Sequence, residues 1–480
     1  RDLVPPWSPP HNLSVLGKFI HSTVSGSPSL CSSLPLKEKL QALQCHFTWD
    51  FEIRDKVDAA HILHTVALRI AHTPYPNQAA YLALQAYLCH LQERYEDALQ
   101  SLKKAEEFLA RDHPGNVPRQ ALVIYGNYAW IYYHLAHYDV VERYLDQVSQ
   151  ICRSLNSRSP YAALIPEVHA HKGWSLLATG FRHGQQATEC FQRALAEDEA
   201  NGEFLAGSAI AAFASWTHSR DFQYKLEAKK KFSAIIQEEP QNYEAKMYLA
   251  KILETWDRPQ GEALVEDVVR NSRDPEVLRN AAKFFQAEFP EKAIAILERA
   301  ISLDPTYHLP HYDLGRCYKQ QLAAAETDRR EEIVVAGTEA FKMAVQKDPA
   351  SVFAKLALAE MYGEKTPEYQ EEIYLNLLSE VSTLSKRCQQ AVYLGFGDFL
   401  FYTRKSLPEA AEKYKAGFAI AGSIWEKETL RRRLQEVADE FQQRSQTTEA
   451  AAIQHVLQRN TSPNYRNYST RGRSWRLERQ

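Results

Sequence analysis

Hydrophobic residues recur along most of the chain at helical spacing, in paired segments that are separated by short polar turns. In residues 276–305, Ala281 and Phe284 lie on one face of the first segment, and Ala293 and Leu297 lie on one face of the second. This periodicity predicts two amphipathic helices. Small residues let the two helices approach closely, and the aromatic ring fills the groove beside them. The pattern therefore predicts a helix hairpin.

The same pattern recurs with a period close to that of the tetratricopeptide unit, about 34 residues. Further copies cover residues 79–112, 120–153, 164–199, 203–240, 242–275, 307–349, 351–383 and 388–421, and two cap helices follow at about 424–444 and 447–459. No segment shows the alternation of a strand. We expect an all-α fold, a right-handed superhelical solenoid of about eight to nine tetratricopeptide hairpins.

The composition of the chain changes at both ends of this array. Residues 1–35 are rich in Pro and Ser and predict a disordered leader, and residues 461–480 predict a basic disordered tail. The superhelix is expected to span residues 36–460, with an N-terminal part, 36–240, and a central and C-terminal part, 241–460. No apolar run reaches the length of a membrane span.

The tail combines arginines with aromatic residues. Arg466, Arg471, Arg473, Arg476 and Arg479 face a single acid, Glu478, and are interleaved with Tyr465, Tyr468 and Trp475. Arginine with aromatic residues suits single-stranded RNA through charge and stacking. The alternative is a tail that merely keeps the protein soluble, and the sequence favours neither.

Overall charge and known motifs narrow the classes of function. The formal net charge is -3, so no global field attracts a polyanion, and a nucleic-acid site must be a local cluster of Lys and Arg. The seven cysteines are scattered without a CxxC pair, which favours buried thiols and a reducing compartment, the cytosol or the nucleus. No phosphate loop, nucleophile elbow or metal-ligand motif occurs. We expect a binding protein rather than an enzyme, with no cofactor and no metal.

Basic residues concentrate on two first helices near the middle of the array. Arg279 and Lys283 are four residues apart and share a helix face, while Arg316 and Lys319 are three apart on the next first helix, beside His311. First helices line the inner groove of a tetratricopeptide array. These side chains are therefore candidates for phosphate contacts. The alternative is that neighbouring acids pair with them on a solvated face.

Several sequence stretches, taken together and in order, resemble one family, the interferon-induced proteins with tetratricopeptide repeats. The likeness spans about residues 36–460. The matching stretches are Cys45-His-Phe-Thr-Trp49, Leu82-Ala-Leu-Gln-Ala-Tyr-Leu-Cys-His-Leu91, Tyr125-Gly-Asn-Tyr-Ala-Trp-Ile-Tyr-Tyr-His134, Lys172-Gly-Trp174, Ala281-Ala-Lys-Phe-Phe285 and Leu314-Gly-Arg-Cys-Tyr-Lys319.

The resemblance implies an interferon-induced, cytoplasmic protein that restricts virus replication. Several members of the family hold single-stranded viral RNA in a basic central tunnel, and some grip a 5′-triphosphate or an incompletely methylated cap. Other members act through fellow members, AU-rich RNA or signalling proteins. Antiviral RNA binding and a protein-interaction scaffold that binds no RNA are therefore both implied, and a homo-oligomer is plausible for such an array.

Carried over by position, the resemblance assigns Trp174 to stacking on the cap guanine and Glu203 to an acid in the same tunnel. Thr65 falls at a tunnel position. Arg279 and Lys283 fall where family members contact the RNA backbone, and an adjoining position falls at His311.

The expected triphosphate grip is missing. Its lysine, tyrosine and arginine fall at Ala178, Gly184 and Ala214, and the glutamate and glutamine of a metal-assisted site fall at His61 and Arg69. Arg69 and Arg182 are the candidates to replace part of the lost charge. The sequence therefore predicts an antiviral member that binds single-stranded RNA in its central groove with weak or absent 5′-triphosphate recognition.

Overall fold

The computed structural model describes residues 35–53, 56–323, 325–421 and 424–459, and these residues form mainly α-helices joined by turns and loops. None of the described helices is both long enough and apolar enough to span a bilayer. The helices are α1 (Leu36–Gln41), α2 (Lys56–His72), α3 (Gln78–Leu91), α4 (Tyr95–Asp112), α5 (Val117–His134), α6 (Tyr138–Ser154), α7 (Pro166–Thr179), α8 (Gly184–Leu195), α9 (Gly202–Ser219), α10 (Phe222–Glu238), α11 (Tyr243–Leu253), α12 (Arg258–Asn271), α13 (Pro275–Phe285), α14 (Pro290–Leu303), α15 (His308–Leu322), α16 (Thr327–Lys347), α17 (Val352–Tyr362), α18 (Pro367–Ser379), α19 (Lys386–Asp398), α20 (Leu407–Ala419), α21 (Ile424–Gln443) and α22 (Thr447–Arg459).

From α3 onward, each odd-numbered helix packs against the even-numbered helix that follows it. The described residues thus form ten successive hairpins, and the predicted all-α solenoid of tetratricopeptide hairpins is confirmed. Nine of these hairpins coincide with the predicted repeats. The helices expected to be a cap, α21 and α22, pack as a hairpin like the others, with Leu434 and Ile453 buried.

The hairpin of α13 and α14 shows why these residues fold in this way. Asp274 caps α13 by accepting hydrogen bonds from the backbone N–H groups of Glu276 and Val277, at 2.8 and 3.1 Å. Such a cap satisfies amides that the first helical turn leaves without partners. Ala281 and Ala293 are fully buried, as their small size predicted. The close approach of the two helices follows from these two alanines.

The apolar core runs along the solenoid as a series of clusters. In chain order, the first cluster lies within residues 40–253 and is the largest, the second lies within 247–317, and the last lies within 352–457. In the first cluster, Tyr128 of α5 stacks on Tyr144 of α6, with ring centres 4.7 Å apart. This contact supports helix packing as the role of the closely spaced aromatic residues between Tyr125 and His134. Residues 1–34 of the predicted leader and the whole of the predicted tail, 461–480, lie outside the described residues.

Helix α2 lies against the inner, odd-numbered helices rather than within a hairpin. It packs on α3 and α7. At its end, His72 Nε2 lies 3.6 Å from Asp304 Oδ2, and the His72 ring lies 4.6 Å from the ring of Tyr307. Helix α2 therefore connects the first hairpins to the centre of the array.

Candidate nucleic-acid interface

Trp174, the residue expected to stack on a cap, is enclosed by the protein itself. Its indole on α7 is 1 % exposed. The ring of Tyr75, from the loop between α2 and α3, stacks over it at 5.8 Å and an angle of 25°, and Phe191 meets it edge-on at 5.2 Å. In this conformation, Tyr75 occupies the face that a base would need.

Glu203 fixes the edge of the same indole. Its Oε1 accepts a hydrogen bond of 2.9 Å from Trp174 Nε1, and its Oε2 lies 3.9 Å from His113 Nε2. Burial raises the pKa of Glu203 to about 7, although the hydrogen bond from Trp174 opposes this shift. The carboxyl group is therefore partly protonated near neutral pH.

A cavity of about 10 Å³ remains beside this pair. It is lined by Pro76, Asn77, Ala79, Ala80, Leu109, His113, Gln120, Glu167, Ala170, His171, Trp174, Glu203 and Phe204. Such a volume holds about one water molecule. The pocket at Trp174 is closed to a nucleotide in this conformation.

The three positions expected to grip a triphosphate lie in the packed core. Ala178 is 5 % exposed and Ala214 is fully buried. Gly184 begins α8 directly against α9, where an added Cβ would lie 2.5 Å from the backbone nitrogen of Ser215 and 2.8 Å from the carbonyl carbon of Ala214. A side chain at 184 therefore requires the backbone to move.

Thr65 and Arg69 lie one turn apart on α2 and are both half-buried. Burial opposes the charge of Arg69, but Tyr81, Tyr248 and Glu244 outweigh it and hold the pKa of the guanidinium above its ordinary value. The charge expected to replace part of a phosphate grip thus lies among Tyr81, Tyr248 and Glu244 of the protein itself. The side chain of His61 lies outside the described residues.

Arg279 is buried in an ion-pair network within the protein. It donates to both carboxylate oxygens of Glu276, at 2.7 and 2.8 Å, and to Asp313 Oδ2 of α15, at 2.9 Å. Its side chain is 8 % exposed. Of the two alternatives for this residue, the structure favours pairing with neighbouring acids, but the pair is buried rather than solvated.

Asp313 serves three cations at once. Besides Arg279, Lys283 Nζ lies at 3.5 Å and Arg316 Nη1 at 3.6 Å. Burial raises the pKa of Asp313, but the three cations outweigh it and leave the pKa below its ordinary value. Burial, followed by repulsion from Arg279, lowers the pKa of Lys283 to about 8. Arg279, Lys283 and Arg316 together with Glu276 and Asp313 form the Asp313 cluster. Three cations and two carboxylates leave it with one excess positive charge.

His311 and Lys319 lie on α15, the helix that also carries Asp313 and Arg316. His311 is buried, with Nε2 3.4 Å from the carbonyl oxygen of Pro305, and burial lowers its pKa. Lys319 is paired with Glu360 of α17, and its side chain is 47 % exposed. The structure thus brings together Arg279, Lys283 and Arg316, while Trp174 and Glu203 form a separate site. RNA contact by any of these residues stays a prediction.

Sequence reasoning missed the residues that occupy these sites, namely Tyr75, Glu244, Glu276 and Asp313. For two of these residues, the sequence contains a feature that could have identified them. Tyr75 lies between two prolines, which restrict the backbone that places its ring. Asp313 lies one helical turn before Arg316, at a spacing that favours an ion pair.

Comparison with known proteins identifies relatives along most of the chain. No protein-family model matches it. The human antiviral innate immune response effector IFIT1 is 30% identical over 406 residues, which cover 80% of this chain and 84% of the relative. Human interferon-induced protein with tetratricopeptide repeats 2 is 30% identical over 431 residues, which cover 84% of this chain and 87% of the relative.

Solved structures of the first relative share the fold. The human IFIT1 dimer with m7Gppp-AAAA is 26% identical, has a TM-score of 0.62, and covers 88% of this chain and 99% of its own. The same dimer with PPP-AAAA is 27% identical, with a TM-score of 0.60 and the same coverage. The identity and coverage confirm the resemblance found in the sequence. The chain belongs to the interferon-induced proteins with tetratricopeptide repeats.

Proposed function

We propose that this protein is a cytoplasmic antiviral effector that binds single-stranded RNA with weak or absent recognition of a 5′-triphosphate or cap. The observation that carries this proposal is the closed pocket at Trp174, where Tyr75 covers the indole and a cavity of about 10 Å³ remains. Human IFIT1, one of the relatives named above, has been solved as a dimer with m7Gppp-AAAA and with PPP-AAAA.

The three phosphate-gripping positions support the same conclusion. A charge-assisted hydrogen bond to a phosphate contributes roughly 1.5–3 kcal/mol, and three such donors are absent at Ala178, Gly184 and Ala214. The close contact of Gly184 with α9 leaves no room for a replacement side chain. Affinity for an RNA end therefore loses several of its usual contributions.

RNA binding without end recognition would rest on the centre of the array. The Asp313 cluster carries one excess positive charge, and the side chains of Lys283, Arg316 and Lys319 are 20%, 24% and 47% exposed. Phosphates can compete with carboxylates for cations that are still partly exposed. Arg279 would hold this cluster together rather than contact RNA.

Binding of three RNAs of one sequence, bearing 5′-triphosphate, cap or 5′-hydroxyl, tests the proposal when measured across salt concentration. We expect similar affinities for all three, which weaken as salt rises because the contacts are to phosphates. Arg316→Gln with Lys319→Gln should weaken all three about equally. The matched control is Lys103→Gln with Lys104→Gln, two exposed lysines on α4.

Two results would contradict the proposal. A strong preference for the triphosphate would show that the pocket at Trp174 opens. No salt-dependent binding to any of the three RNAs would exclude RNA as the ligand. Equal losses in the paired variants on α15 and α4 would move the RNA contacts away from α15.

A protein-interaction scaffold is the second candidate, and an exposed apolar patch favours it. Phe222, Leu226 and Trp256 are 54%, 43% and 39% exposed, and the rings of Phe222 and Trp256 lie 5.3 Å apart. Clustered exposed apolar side chains are typical of protein-interaction sites. The expected partner is another family member or a second copy of this chain.

Sedimentation velocity, alone and with a second family member, tests the scaffold. Leu226→Ser should weaken association without affecting RNA binding. Leu164→Ser, at an exposed leucine elsewhere in the chain, is the matched control. Unchanged association in the Leu226→Ser protein would reject this patch.

A further inference from the structure

A groove of about 730 Å³ lies between the loop after α2 and the starts of α9, α11 and α13. It is lined by Pro74, Tyr75, Pro76, Gly202, Glu203, Leu205, Ala206, Ile235, Glu238, Glu239, Pro240, Gln241, Asn242, Tyr243, Glu244, Ser272, Asp274 and Val277. It adjoins the closed pocket at Trp174 but is far larger. This volume is typical of a ligand site rather than a packing defect.

The charged lining of the groove has a single sign. It contains five carboxylates, from Glu203, Glu238, Glu239, Glu244 and Asp274, and no Lys or Arg. Among the described residues, none of the five forms an ion pair within 4 Å with a lysine or an arginine. Such a surface attracts a cation and repels the phosphates of RNA.

Two polar atoms in the wall lack the hydrogen bonds that burial demands. Tyr75 is 9 % exposed, and its Oη has no partner of ordinary geometry, although Asn242 and Glu244 are its neighbours. Glu244 Oε2 is also buried without a partner. Buried hydroxyl and carboxylate oxygens are normally satisfied. Two buried polar atoms without a well-formed hydrogen bond therefore lie in the wall of this groove.

One nearby cation, Arg69, does not offset the burial of Glu244. Burial raises its pKa to about 7; Arg69 on α2 and the neighbouring Tyr75 hydroxyl oppose this, and Asp274 and Glu276 add to it. A guanidinium bound in the groove would lower this pKa again, because an opposite charge favours the ionised carboxylate. Its N–H groups can donate to both Glu244 and Tyr75.

We propose that this groove binds an arginine-rich peptide, and that residues 460–480 of this protein are its occupant. These 21 residues lie outside the described structure and carry five arginines against one glutamate. An extended segment of this length reaches up to about 70 Å. Guanidinium groups pair with carboxylates through charge-assisted hydrogen bonds. This proposal does not depend on RNA binding.

A labelled synthetic peptide of residues 460–480 tests the proposal by fluorescence anisotropy with the full chain. The native segment competes with the added peptide. We therefore expect a full chain with Arg466, Arg471, Arg473, Arg476 and Arg479 changed to Gln to bind the peptide about tenfold more tightly than the unaltered chain. A peptide with the same five changes should bind neither protein. Equal affinity of both chains for the unaltered peptide would overturn the assignment.

Variants of the groove locate the binding site in the chain with the neutralised tail. Glu238→Gln with Glu239→Gln, two exposed residues at the groove, should weaken peptide binding about fivefold. Glu368→Gln with Glu372→Gln on α18 makes the same change in charge at exposed positions elsewhere and should leave the affinity unchanged. Equal losses in the two pairs would show nonspecific attraction and reject the groove.

The buried hydroxyl gives a separate readout. Tyr75→Phe removes only Oη and keeps the ring over Trp174, so it should weaken peptide binding while RNA binding stays the same. Undiminished peptide binding would reject the contact at Tyr75. Sedimentation velocity distinguishes the source of the segment: a monomer indicates the same chain, and a dimer that is lost when the tail is neutralised indicates a second copy.

Discussion

At the scale of single residues, Trp174 and Glu203 form a pair whose charge depends on pH. The indole N–H donates to a carboxyl group that is 12 % exposed and has a pKa of about 7. An unfolded glutamate has a pKa near 4.5. Between these two values, the folded chain holds a proton at Glu203 that the unfolded chain has released.

This difference predicts how stability changes with pH. Because the folded state binds more protons between about pH 4.5 and 7, Glu203 favours folding at low pH, and its contribution falls by up to about 3 kcal/mol as pH rises through 7. Glu203→Gln stays neutral and should flatten this dependence in urea denaturation at pH 5 and 8. Glu107→Gln, at an exposed position on α4, serves as the control. An unaltered pH dependence in Glu203→Gln would contradict the assignment.

In the sequence, Trp174 and Glu203 were identified only through the family resemblance. That resemblance predicted that both residues contribute to an RNA-binding tunnel. Tyr75 changes that interpretation, because its ring comes from a loop almost one hundred residues before Trp174. A contact between residues so far apart in the chain has no periodic signal. Trp174 could therefore be predicted as important, but its enclosure could not.

At the scale of helices, the Asp313 cluster joins α13 to α15. Arg279 bonds to Glu276 of its own helix and to Asp313 of the neighbouring first helix. Removing one partner of a buried ion pair destabilises the folded state strongly, because the other charge stays buried without compensation. The cluster therefore stabilises the stacking of successive hairpins.

A double-mutant cycle measures this connection. Arg279→Ala should destabilise the fold by about 3–5 kcal/mol, because Asp313 would lose its shortest ion pair. Arg279→Ala with Asp313→Ala should cost less than the sum of the two single changes, by about 1–3 kcal/mol in urea denaturation. The exposed pair of Arg444 and Glu440 should couple by no more than about 0.5 kcal/mol. Additive costs at Arg279 and Asp313 would show that the buried pair does not connect the helices.

The spacing in the sequence placed Arg279 and Lys283 together, and the structure brings both to Asp313. The sequence could not choose between phosphates and acids as their partners. Asp313 lies 34 residues after Arg279, one repeat further along, so the pairing depends on how hairpins stack. Likewise, the packing of Gly184 against Ala214 depends on contact between two hairpins.

At the scale of the whole molecule, stability is distributed along the solenoid. The core cluster within residues 40–253 and the cluster within 352–457 share no residue. Each hairpin of such an array contacts mainly its neighbours, so stability is close to a sum of local terms. The alanines and aromatic residues that repeat about every 34 residues predicted this architecture well, because hairpin packing depends on local spacing.

Local stability predicts a local response to core substitutions. Leu434→Ala on α21 and Leu84→Ala on α3 remove equivalent, fully buried side chains and should each cost about 2–5 kcal/mol. Hydrogen exchange should show lost protection around α19–α22 in the first variant and around α3–α7 in the second. A uniform loss along the chain in either variant would show that the solenoid unfolds as one unit.

The hydrogen bond between Trp174 and Glu203 has an optical consequence. Excitation moves electron density in indole away from the pyrrole ring, so a negative charge beside Nε1 stabilises the excited state. As Glu203 loses its proton near neutral pH, the emission of Trp174 should shift to longer wavelength. The protein thus contains an intrinsic fluorophore that reports the protonation of a single buried carboxyl group.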